Sequence, residues 1–370
     1  KVARIMKKAV ISGLLSAGTN VVDLGLATAP VLSYTITNLR LRGGVLIRSD
    51  GHDRLSIELY DASGLLLAKS ALRSLESLFF REDFSRSQPE QMGELSYLPT
   101  AGEPYLAAIF EHTDRQRLVT AGQKIHIGWS GAAARWVAKL LQRKLPDLVS
   151  AASCGDAQKL GAQVLSNQAS LGLWLGSAGE VFSFADEEGR LLSEEMQWNL
   201  LVYGLLLTGR KQVAVPINAP GSVETIAAKF TAEVLRTKAD PRSLLERESP
   251  PLGLPAYDGL AATLLVLEIL GQTGLSLSQV IKEFPVPVRK STDIPCSWEV
   301  KGKVMRSLLE TAQGEKVQLL DGVKVFHSKG WALVWPDAEE PLFHILSEAD
   351  TVEEADRLSQ LYATKISGFS

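Results

Sequence analysis

The sequence predicts an α/β protein of three similar domains followed by a smaller C-terminal α+β domain. Through about residue 290, segments of helical period alternate with short β-rich runs, and the pattern restarts near residues 121 and 211. After Pro287 the order changes to successive strands flanked by two helices. The length of 370 residues also exceeds one ordinary domain of about 100–200 residues. The expected divisions are 1–120, 121–210, 211–289 and 290–370.

Each element has a local reason. Val2, Ile5, Met6, Ala9, Val10 and Leu14 fall at helical spacing, with Gly18 where a C-terminal cap belongs. Residues 20–25 read as a buried strand, 30–39 as a helix and 43–47 as a second strand. Residues 55–60 alternate like a half-exposed strand, and 61–64 are turn chemistry. A polar stretch over 81–93 precedes an amphipathic helix at 104–115. The second unit begins with a strand at 124–128 and a helix at 131–144. Strands at 171–175 and 181–185, a turn at 186–189 and a helix at 193–207 complete it. The third has a strand at 211–216, a helix at 223–230, a strand at 233–237 and, after a Pro-rich break at 249–255, a helix at 258–270. Ser276 and Gln279 have capping-box spacing for one more helix. In the last unit a helix at 301–312 precedes strands at 316–319, 322–327, 331–335 and 342–346. Thr351 and Glu354 then form a second capping box, opening a helix at 353–362.

Composition excludes several functions. Lys+Arg 39 against Asp+Glu 42 gives a net charge of -3, and no basic cluster suggests nucleic acid or an anionic membrane. Two isolated cysteines form no CxxC pair and fit a reducing cytosol. The apolar runs at 198–208 and 259–270 are shorter than the roughly 18 residues of a membrane span. The five histidines include no HxxxH pair, so no zinc site is expected. His126, on an apolar strand, reads as a core histidine with its hydrogen bonds satisfied. The run GWSG at 128–131 reads as a tight strand-to-helix connection, and Ser130 lacks a G-x-S-x-G frame. Trp129, Trp136, Trp174, Trp331 and Trp335 read as packing residues rather than a base-stacking platform.

The runs GTNVVDLGLATAP (18–30), GGVLI (43–47), DEEGRLL (186–192) and DGLAATLLVLE (258–268) resemble the α-D-phosphohexomutases. GWALVWP (330–336) and Glu340-Pro341 carry the resemblance into the last domain. It implies mixed sheets in four domains around a central cleft, with the chemistry in four loops. The phosphoserine loop, T-A-S-H-N-P in the family, here reads RSDGHD (48–53). Asp50 stands at the nucleophile's position, Ser49 one residue early, and Arg48 replaces the usual Thr. A carboxylate can itself be phosphorylated. The magnesium loop, D-x-D-G-D-R, reads GSAGEV (176–181), and Glu180 is its only carboxylate. The sugar-reading loop after 236–242 is deleted between 251 and 258, leaving Lys238 and Arg242, with Arg48, as cations that could bind a sugar phosphate. The phosphate loop, R-P-S-G-T-E-P, reads WPDAEEP (335–341): acceptors stand where donors are needed. His344 takes a place where the family often has Arg.

These departures imply a catalytically degenerate mutase-like module of sugar-nucleotide metabolism. It would be a structural, regulatory or weak sugar-phosphate-binding region with no cofactor. FFREDF (79–84) and Arg48 resemble a subgroup joined to a mannose-1-phosphate guanylyltransferase. The implied partner is an upstream nucleotidyltransferase domain or subunit, the family's first strand being expected about 40 residues before Lys1. The alternative is an active phosphomannomutase/phosphoglucomutase using Asp50 or Ser49 with Mg²⁺. In either reading the protein is expected to be cytoplasmic, without a membrane or nucleic-acid partner.

Overall fold

The structure is a computed structural model and describes residues 2–49, 55–82, 84, 86–111, 122–247, 255–312, 314–337 and 340–369. The fold is mixed α/β with several sheets, as the alternation of periods implies. Chain contacts gather it into two compact units, Lys1–Leu192 with Glu248–Val280, and Ser193–Arg247 with Ile281–Ser370.

In the first unit, helix Val2–Ser16 precedes β1 (Val21–Asp23), which pairs in parallel with β4 (Leu95–Tyr97). Helix Ala29–Asn38 starts at a proline-containing first turn, a place where Pro's missing N–H costs nothing. β2 (Gly43–Ser49) and β3 (Leu55–Asp61) form an antiparallel pair. Gly43 is required there, because a Cβ would lie 2.5 Å from the backbone oxygen of Tyr60. The four-stranded sheet has the order β6-β5-β7-β8. β5 (Ile125–Trp129) is wholly buried between its parallel neighbours β6 (Val149–Ser153) and β7 (Leu171–Leu175). β8 (Phe182–Asp186) returns antiparallel to β7. Helix Gly259–Thr273 is buried on nearly every side from Leu260 to Leu270, which explains why its sequence is apolar throughout rather than striped.

In the second unit, β9 (Gln212–Pro216) and β10 (Glu233–Thr237) pair in parallel. An antiparallel sheet follows in the order β11-β15-β14-β13-β12. Its members are β11 (Val288–Pro295), β12 (Lys316–Gln318), β13 (Val323–His327), β14 (Gly330–Pro336) and β15 (Leu342–Ala349). One face presents Val323, Val325, Ala332, Val334, Phe343 and Ile345 to Val304, Leu308, Leu358, Tyr362 and Ile366 of two helices. The other packs Trp331 and Leu333 on Ile217.

Most expected elements form within two or three residues of their expected ends. Both capping boxes form only in part: Gln279 Oε1 accepts from the Ser276 N–H, and Thr351 Oγ1 from the Glu354 N–H. The expected helix at 104–115 is observed as Gly102–Glu111; residues 112–115 lie outside the described residues. Among elements not anticipated are helix Lys69–Phe80, β6, helix Leu160–Ser166 and β11. Helix Lys69–Phe80 buries no residue, although Leu72, Leu75, Leu78 and Phe79 recur at helical spacing; its apolar side is exposed. No helix among the described residues is long and apolar enough to cross a membrane.

Phe343 is fully buried between sheet and helices. Its truncation, Phe343→Ala, is expected to destabilise the protein by about 3–5 kcal/mol, read as a lowered midpoint in urea unfolding.

Candidate active site

Arg48 lies on β2 directly opposite Ser56, so Glu58 on β3 is its diagonal neighbour on the same face. The guanidinium donates to Glu58 Oε1 and, at 2.5 Å, to Glu180 Oε1. Glu180 is 132 residues away in sequence, in the turn 176–181 joining β7 to β8. Tyr60, two residues from Glu58, donates its hydroxyl to Glu58 Oε2 at 3.3 Å. Burial, and then the Glu180 charge, hold the Tyr60 phenol well above its ordinary pKa, with Arg48 acting the other way.

The turn carrying Glu180 is fixed by backbone. Gly176 N–H donates to Val181 O at 2.8 Å, and Gly179, at φ 81°, donates to Gly176 O. Ala29 N–H reaches Ala178 O at 2.9 Å and Gly259 N–H reaches Gly179 O at 3.2 Å. Two helix starts therefore hold this turn through donors that have no partner inside their own helices.

The second of those helices is capped by Asp258, whose Oδ1 accepts from Leu260 and Ala261 N–H. Tyr105 donates its hydroxyl to the same carboxylate, 2.8 and 2.6 Å from its two oxygens. Burial pushes the Asp258 carboxyl up to about 6 against these hydrogen bonds.

Of the residues anticipated from sequence, the structure brings Arg48 and Glu180 together. Ser49 ends β2 and is exposed, while Asp50 lies outside the described residues. Lys238 and Arg242 belong to the second unit. Lys238 is exposed, and Arg242 makes an ion pair with Glu246 at 2.7 Å. In the phosphate-loop counterpart, Asp337 Oδ2 meets His344 Nε2 at 2.9 Å, and Asp293 meets Nδ1 at 2.7 Å. Burial works to lower the His344 pKa, but its hydrogen bonds to both aspartates prevail and hold it above its ordinary value. His126 is a satisfied core residue, bonded to Ser150 Oγ and Gln163 Oε1, its pKa lowered by burial.

Sequence reasoning missed Glu58 and Tyr60, although the alternation over 55–60 placed both on the face that Arg48 shares across the hairpin. It also missed a buried charged group in the second unit. Lys324 Nζ donates to Ile217 O at 3.0 Å and lies 3.6 Å from the centre of the Trp331 ring. Burial, with Arg236, brings its ammonium down to about 7, opposed by Glu348 and Glu224. Glu348 accepts from Gly221 N–H and Trp331 Nε1.

The residues at 176–181 do not fit a magnesium ion. Mg²⁺ requires about six hard oxygen ligands in near-octahedral array. Glu180 is the turn's only carboxylate, and Arg48 holds it. The carbonyl oxygens of Gly176, Ala178, Gly179 and Val181 already accept backbone N–H groups. No cluster of metal-ligating side chains occurs among the described residues.

Residues 2–86 match the family model for phosphoglucomutase/phosphomannomutase, alpha/beta/alpha domain I. A phosphoglucomutase/phosphomannomutase of Thermococcus kodakarensis is 26% identical over 96% of this chain and 86% of its own length. Along nearly its whole length the chain is similar to proteins named as phosphohexose mutases. A probable phosphoglucosamine mutase of Pyrococcus abyssi is 25% identical over 97% of this chain and 86% of its own. The fold also matches a solved phosphoglucomutase/phosphomannomutase family protein from Burkholderia thailandensis. That match has a TM-score of 0.74 at 16% identity and covers 98% of this chain and 86% of the other.

These relatives correct the expectation of a catalytically degenerate module of a guanylyltransferase-type polypeptide. The proteins matched along nearly the whole chain are named as mutases, not as guanylyltransferase fusions. The physical reason is that lost loop residues do not by themselves remove phosphoryl transfer. A carboxylate can replace a serine as nucleophile, and a guanidinium can supply positive charge where another cation is wanting.

The raised Asp258 pKa has a definite sign. Its carboxyl holds a proton in the folded state over a window, about pH 4–6, in which the unfolded chain has released it. Its contribution to stability is therefore fully present below about pH 4 and lost as pH rises through about 6. Asp258→Asn cannot titrate, so its stability relative to the parent should improve by about 3 kcal/mol between pH 4 and 7. Paired urea titrations across that range check this.

Proposed function

We propose that the chain is a phosphohexomutase acting on a hexose or hexosamine phosphate, moving a phosphoryl group between the C1 and C6 oxygens. The observation that carries this is the likeness to named mutases along 96% of the chain, together with the shared fold. Asp50 is the proposed nucleophile and Ser49 its neighbouring substitute, on the segment that follows β2. Either would take the phosphoryl group from a bisphosphorylated sugar and return it to the other oxygen. Arg48 stands one residue before Ser49 and fixes the end of β2 through Glu58 and Glu180. Lys238 and Arg242 are proposed as weaker attractors of the sugar's phosphate. The four divisions at 1–120, 121–210, 211–289 and 290–370 are the domain organisation we propose.

The reading is tested by following glucose, mannose and glucosamine 1-phosphates in the presence of their 1,6-bisphosphates. One of them should be converted to its 6-phosphate. Asp50→Ala should abolish that conversion and the phosphoryl adduct seen by intact-protein mass, while Ser49→Ala should slow it by about tenfold or less. Absence of conversion with all three sugars would refute the proposal.

A further inference from the structure

The fold family implies a magnesium ion at the turn 176–181, and the residues there do not suit one. We propose that Arg48 is the resident cation of this site, a guanidinium held between Glu58 and Glu180, so that the site takes no magnesium. This deepens the mutase reading and rests on it for the role of the turn.

Three observations support it. The first is geometric: one guanidinium spans two carboxylates from separate parts of the first unit, Glu58 on β3 and Glu180 in the turn. Without a cation between them these carboxylates would repel each other. With Arg48 present, each already has the charge partner a metal would offer. The second is exclusion. Both carboxylates have an oxygen engaged by Arg48, Glu58 Oε2 faces the Tyr60 hydroxyl, and four carbonyls of the turn are taken by N–H groups. A metal would have to displace an ion-pair network rather than enter a prepared cage. The third is the nature of the cation. A guanidinium is charged at every physiological pH and offers a planar fork of donors matched to carboxylates, whereas Mg²⁺ needs near-ideal octahedral oxygens. In this role Arg48 is a positioning residue: it ties the end of β2 to the turn and need not touch the sugar.

The test uses the whole chain and Mn²⁺ as a paramagnetic probe, with free Mn²⁺ followed by electron paramagnetic resonance. The parent is expected to show no saturable binding below about 1 mM. Arg48→Met, which leaves the two carboxylates without their cation, should bind Mn²⁺ at least tenfold more tightly than the parent. Saturable binding by the parent that disappears in Glu180→Gln would overturn the proposal, and this arm does not depend on the Arg48 variant folding. In the mutase assay, equal turnover in EDTA and in Mg²⁺ supports it. Turnover lost in EDTA and restored by Mg²⁺ defeats it while leaving the mutase reading intact. No turnover in either medium refutes the mutase reading, and the Mn²⁺ titration then decides the role of Arg48.

Discussion

The first unit is organised around one buried carboxylate. Asp258 caps a helix whose apolar sides are almost entirely covered, so the helix start can move only if that packing is broken. Tyr105 holds the carboxylate from another helix, and the adjacent Gly259 N–H fixes the turn 176–181. That turn carries Glu180, and Glu180 receives Arg48. A chain of hydrogen bonds thus runs from a cap to the end of β2, the strand that precedes the proposed nucleophile. Burying Asp258 opposes ionisation, yet its oxygens accept three donors, which is what makes the arrangement tolerable.

Two cations, one in each unit, are handled differently. In the first, Arg48 is partly exposed and pairs with two carboxylates. In the second, Lys324 is almost completely enclosed, with a carbonyl oxygen and an aromatic ring as its nearest partners. Neutralising an ammonium that can give up its proton is one solution to desolvation, and pairing a guanidinium that cannot is the other. The choice of Arg at 48 and Lys at 324 follows that distinction.

Much of this architecture was legible from periodicity. Residues 171–175 read as a strand with the ends that are observed, because LGLWL is a short apolar run bounded by turns. β11 was not legible: Val288–Pro295 alternates among charged and polar residues on a sheet edge, and only its pairing with β15 makes it a strand. The site was less legible than the fold. The motifs located Arg48 and Glu180 separately, but their contact joins positions 132 residues apart, and no local spacing encodes that. The same separation hid the link between Tyr105 and Asp258. Reading each altered loop in isolation counted losses, whereas the folded chain pairs two of the altered positions with each other.

The route of the backbone has a consequence for how this protein is made. The chain leaves the first unit at Leu192, returns at Glu248 and leaves again after Val280. Helix Gly259–Thr273 therefore reaches the first unit only after an intervening stretch of the second has been synthesised. Until the ribosome has passed that point, β7 and the turn at its end lack the helix they pack against, and their apolar surfaces face the solvent. A nascent chain of this design must wait, exposed to proteases and chaperones, for a segment encoded far downstream. A truncation before Gly259 would be felt first at β7 and the turn 176–181, far upstream in the chain.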